Sequence, residues 1–205
     1  SLPDAPPSEA PVPFTPVTLV EERDSNQSHL RMLYQPDLDP SDASQRVAFG
    51  IYSTLLGGSM GSRLFDEIRE QRGLAYSVFA MAHIASDYSA LVLGAGLESA
   101  KTVAAFTRMK EIVAELATDG PTEEEVERAR AYVAGRRVLS FESTNSVAGY
   151  AAGRAIVHRE SFDPDDAIAA IDAVTFDQVA EAARRVNPEE LSIACVGPHE
   201  YSEFS

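Results

Sequence analysis

The chain has 205 residues, 44% hydrophobic and 24% charged, enough apolar matter for a sizeable core and too few charges for wholesale disorder. Its formal net charge of −15 at pH 7 argues against nucleic acid or an anionic membrane surface as a partner, because phosphate contacts need Lys and Arg. No apolar run approaches the roughly 20 residues that span a bilayer, so no membrane partner is expected.

Residues 1–16 hold six prolines and read as an extended linker, without the positively charged region of a signal peptide. Segments 17–23 and 28–35 read as strands, joined by the turn Asp24-Ser25-Asn26. A helix begins near Ser41 or Asp42 as cap and keeps Val47, Ile51, Thr54 and Leu55 on one face. Gly57 and Gly58 end it. A helix over about 62–71 carries the apolar stripe Leu64, Phe65 and Ile68, and Gly73 stops it. Segments 76–84 and 88–97 alternate like an antiparallel hairpin around Ala85-Ser86-Asp87.

A long helix follows over about 99–117. Thr122 and the acidic run Glu123-Glu124-Glu125 open another, reaching towards Ser140, with the negative charges where the helix dipole favours them. Helical stretches near 143–158, 164–172 and 175–185 come next. Asn187-Pro188 breaks the chain, and 191–196 is a final buried strand containing Cys195. Cys195 is the sole cysteine, so it has no internal disulfide partner and reads as a small buried hydrophobe, which fits a reducing cytosol. This order implies an α+β domain with a mixed, mainly antiparallel sheet of five to six strands and helices packed on one face.

Several chemistries have no foothold in the residues. His29, His83, His158 and His199 do not stand at the spacing that places two imidazoles around zinc on one helical face, so no metal site is expected on this chain. There is no Gly-x-Ser-x-Gly. The loop Gly57-Gly58-Ser59-Met60-Gly61 precedes a helix but lacks the lysine of a phosphate-binding loop. Its glycines read as a tight turn that uses positive φ. Arg69 reads either as a surface pair with Asp66 or Glu70 or as a functional cation. Tyr76 reads either as a strand residue with a polar tip or as a hydrogen-bond donor beside it. A guanidinium and a phenol at one point can hold a peptide carbonyl and stabilise the oxyanion that develops on it.

The run from Gly57 through Arg63-Leu64-Phe65-Asp66-Glu67-Ile68-Arg69 to Gly73-Leu74-Ala75-Tyr76-Ser77-Val78 resembles the signature of the C-terminal, non-zinc half of M16 peptidases, a LuxS-like metallohydrolase type of domain. Gly61 stands where that signature commonly has Ser. Thr122 to Ala129, Glu142-Ser143 and the closing Val196-Gly197-Pro198 extend the likeness over about 17–198. The resemblance implies three segments: a linker at 1–16, the M16 C-terminal domain at 17–198 and a tail at 199–205. It implies that Arg69 and Tyr76 polarise the scissile carbonyl of a peptide substrate. It gives Gly57, Gly58, Ser59, Met60 and Gly61 a place lining the substrate cleft. Zn2+ and the catalytic glutamate would belong to a facing catalytic domain or subunit, leaving this chain silent alone. A homodimer and a cytoplasmic location are compatible with it. A scaffold or assembly subunit without proteolysis is the rival.

Overall fold

The computed structural model describes residues 13–204; most of the proline-rich segment placed at 1–16 lies outside them. Five strands form one sheet: β1 (Thr18–Glu22), β2 (Gln27–Tyr34), β3 (Ala75–Ile84), β4 (Ser89–Glu98) and β5 (Leu191–Gly197). Their order is β1-β5-β2-β4-β3. β1 runs parallel to β5, and every other pairing is antiparallel. Although a short turn joins β1 to β2, β5 inserts between them, with Ile193 opposite both Thr18 and Met32.

Side-chain alternation decides which face is buried. In β2, Ser28, Leu30, Met32 and Tyr34 point inward while His29 and Arg31 point out. Leu91, Leu93 and Leu97 of β4 and Ile193 and Cys195 of β5 extend the same inward surface. The helices α1 (Ala43–Ser53), α2 (Thr102–Thr118) and α6 (Phe176–Arg184) cover it with Phe49, Tyr52, Met109, Ile112 and Val179. The outer face of the sheet centre is lined by small residues. A Cβ on Gly94 would lie 2.5 Å from the Phe79 ring, and Phe79 crosses that gap to meet the Arg31 guanidinium 5.2 Å from its centroid.

Between the body helices run α3 (Glu123–Ser140), α4 (Thr144–Gly153), which passes into a π-helical turn at Arg154–His158, and α5 (Pro164–Asp172). Thr122 and Glu125 form a reciprocal cap at the start of α3, the two-way exchange that the Thr-x-x-Glu spacing favours. No residue of 131–160 is fully buried, although Val133 and Ala134 of α3 pack partly against the core. Phe141, which follows α3, meets Tyr150 of α4 and Phe162 edge to face, with centroids 5.1–5.6 Å apart.

The segment set apart as a tail at 199–205 is packed on the body as far as residue 204. Phe204 is buried against Phe106, and the His199 ring sits 2.9 Å from the Ser28 hydroxyl. No described helix is long and apolar enough to cross a membrane.

Candidate functional site

Asp42, rather than Ser41, caps α1, its carboxylate accepting from the backbone N–H groups of Ser44 and Gln45. Beyond Ser53 the helix widens into π-helical turns over Thr54–Gly58. This carries Gly57 so close to β3 that a Cβ there would lie 2.3 Å from the Ala80 nitrogen. The close approach explains Gly57, and positive φ does not: among the described glycines only Gly73 and Gly120 have it. The loop does turn tightly between two helices, as expected, but without positive φ at Gly57, Gly58 or Gly61, and at Gly57 the demand is close packing. Gly57 is buried, Gly58 and Ser59 are half-buried, and Met60 and Gly61 are exposed, with Met60 at 80%.

Ser62 ends the loop. It is buried, and both its N–H and its hydroxyl donate to the Ser59 carbonyl, at 3.2 and 2.6 Å. The helix that follows is π-helical over Phe65–Gln71, a rare geometry that is frequent at functional sites. Leu64 and Ile68 are buried, as their spacing predicts. Gly73 then turns the chain at φ +57°, which a side chain rarely adopts, and the Leu74 N–H donates to the Ile68 carbonyl at 2.8 Å. A β-bulge follows at once: Ala75 pairs with Leu97 and Ser77 with Gly96, so Tyr76 is the extra residue.

Arg69 and Tyr76 therefore flank one tight reversal. The Arg69 guanidinium lies 4.8 Å from the Phe65 ring centroid and 3.7 Å from the Glu70 carboxylate. Tyr76 is 60% exposed because the bulge turns it out of the ladder. Both offer hydrogen-bond donors to an incoming group, and stacking on Phe65 restrains the cation. The surface pair with Glu70 exists, at a distance and exposure where such pairs contribute little.

The supports of this reversal could not be read from local sequence. Arg63 donates to Glu125 through Nε at 2.5 Å and Nη2 at 2.9 Å, tying the loop to the start of α3. Burial pushes the Glu125 carboxyl up, but the Arg63 and Thr122 hydrogen bonds outweigh it and hold the carboxyl below its usual range. On the other side, Arg108 of α2 donates to Glu67 at 2.8 Å and to Glu115 at 2.6 Å, pinning the π-helical segment to α2. The capping pattern signalled Glu125, but nothing signalled its partner 62 positions away.

Among the described residues no group of three or more His, Cys, Asp or Glu side chains is placed to hold a metal ion. His199 is spent on Ser28, and Cys195 is buried, its thiol pushed up to about 11 by burial and by Glu203. The residues here do not fit zinc.

The fold is thus an open-sheet α+β domain that exposes an arginine and a tyrosine on either side of a glycine turn. Residues 1–133 match the peptidase M16 inactive domain, and the chain belongs to that family. It is 33% identical to an uncharacterized zinc protease of Streptomyces coelicolor, over 86% of this chain and 38% of the relative. It is also 37% identical to a protein of Helicobacter pylori named a non-peptidase homolog, over 45% of this chain and 21% of the relative. The solved peptidase M16 inactive domain from Pseudomonas fluorescens superposes with a TM-score of 0.79 at 22% identity, covering 95% of this chain and 48% of that one. The chain thus spans about two fifths of the length of the Streptomyces relative.

Proposed function

We propose that this chain is the substrate-binding, metal-free half of a zinc metalloendopeptidase. It closes the peptide chamber against a catalytic half that carries the zinc. Arg69 and Tyr76 receive the scissile carbonyl and donate to its oxygen as negative charge develops there. The observation that carries this reading is the bulge at Tyr76. It turns a large aromatic out of the sheet next to the reversal that also exposes Arg69. A residue needed only for packing gains nothing from that exposure.

Ser59, Met60 and Gly61 supply accessible backbone and one flexible apolar side chain for an extended peptide and line that side of the cleft, with Gly58 beside them and the buried Gly57 anchoring the loop behind. The experiment is to make Arg69→Ala and Tyr76→Phe in the complete enzyme. The expected kcat loss is roughly ten- to a thousand-fold, the range for one oxyanion donor. Zinc content stays constant, because neither residue binds metal. Wild-type turnover in both variants overturns the role.

A second reading, a scaffold or assembly subunit without proteolysis, draws on the Helicobacter relative named a non-peptidase homolog. It expects a complete protein that neither retains zinc nor cleaves unfolded peptides.

A further inference from the structure

The chain has 32 acidic side chains against 17 lysines and arginines, so an arginine without a carboxylate is unusual here. Arg63, Arg108 and Arg184 each stand within ion-pair distance of one. Arg136 and Arg137, adjacent on α3, do not: among the described residues, their neighbours are aromatic. Arg136 lies 5.8 Å from the Tyr132 centroid, and Arg137 lies 4.2 Å from that of Tyr150. Both help line a cleft of about 300 Å³ whose opposite wall is Thr54 and Gly58, on the turn that leads into Ser59 and Met60. The cleft therefore adjoins the loop given to the substrate. Its arginines keep most of their donors unspent and are steadied by ring faces, the state in which a guanidinium fork takes a carboxylate at two points.

We propose that this cleft is a subsite for a carboxylate carried by the bound peptide. The inference rests on the substrate-binding reading above and adds a chemical preference to it. The carboxylate comes from an acidic side chain of the peptide or from its C-terminus. The net charge of −15 repels any acidic peptide at long range, so a preference for one arises only from local contacts such as these.

Fluorescence anisotropy of the 205-residue chain with labelled peptides that carry no other charged side chain tests this. One peptide carries an internal Glu and a C-terminal amide, its twin carries Gln and the amide, and a third carries Gln and a free C-terminal carboxylate. The carboxylate-bearing peptide that fits the cleft binds about ten-fold tighter than the Gln amide, the effect of a charge-assisted hydrogen-bond pair in a half-open site. A gain with Glu identifies a side-chain source, and a gain with the free terminus identifies the C-terminus. R136Q/R137Q brings the affinities to parity without weakening the Gln amide, while R184Q, far along the chain on α6, keeps the preference. R136Q alone, at an exposed position, gives the same direction if the double variant loses helical content. Equal affinity of all three peptides for the wild type, or a preference that survives R136Q/R137Q, overturns the subsite and leaves peptide binding standing. Absence of binding by every peptide overturns both.

Discussion

Arg63 and Glu125 are 62 positions apart, yet they share a two-point ion pair that clamps the end of the glycine loop to the first turn of α3. The same carboxylate accepts from the Thr122 N–H at 2.7 Å, so one group closes both a helix cap and a tertiary contact. Its removal leaves Arg63, largely buried, without its partner. Glu125→Gln is expected to destabilise the fold by about 1–3 kcal/mol at pH 7, the range for hydrogen bonds to charged groups. The sign with pH follows from a folded-state carboxyl held below the ordinary 4.5. Its stabilisation is complete above that value and is lost as pH falls through the lower folded-state range. Urea unfolding of wild type and variant should therefore converge in acid. A gap that stays constant below the ordinary carboxyl range excludes the pair as its source.

Gly57 gives a sharper steric prediction. The nearest atom to a Cβ there is the Ala80 backbone nitrogen, which cannot swing aside. Gly57→Ala should cost about 1–3 kcal/mol or more, which is roughly a 2–12 °C fall in Tm for a chain of this size. Gly149, within α4, has nothing within 4 Å of its Cβ position. Gly149→Ala should therefore stabilise by about 0.5–1 kcal/mol through helix propensity. Calorimetry on the two variants checks the contrast, and equal shifts would show that backbone approach is not the constraint at Gly57.

Cys195 offers a probe of the sheet interior. It is 1% exposed, and its thiol is pushed up to about 11. The thiolate is the reactive form, so a disulfide reagent at pH 8 should leave it unmodified while the protein is folded and titrate one thiol after denaturation. Rapid reaction in native buffer would mean that β5 opens readily.

Local periodicity revealed most of the fold because each element agrees with its own pattern. The stripe Leu64, Phe65 and Ile68, the Thr122 cap and the alternation of β2 all produce what their spacing implies. Three features were out of reach. The insertion of β5 between β1 and β2 depends on pairings across about 170 residues, which no local signal encodes. The π-helical widening over Thr54–Gly58, where Gly57 meets the Ala80 backbone, has no signal in local periodicity. The second half of α3 looks like any polar helix until the cleft it shares with Thr54 and Gly58, far away in sequence, is seen. At the site, the motif placed Arg69 and Tyr76 either side of Gly73. It did not reveal Phe65 beneath the cation or the bulge beneath the phenol, since both are three-dimensional consequences of the turn.

Phe65 is where that hidden support can be tested. Its ring lies 4.8 Å from the Arg69 guanidinium carbon and packs against the core on its other side. Phe65→Leu keeps apolar volume and removes the ring face. An exposed cation–π contact contributes about 0.5–1 kcal/mol, so losing it should lower kcat of the complete enzyme by roughly two- to five-fold, with little change in KM. The effect acts through the position of Arg69, so it should vanish in the Arg69→Ala background. A double-mutant cycle measures this directly. A Phe65→Leu loss of the same size with and without the guanidinium would make Phe65 a packing residue only.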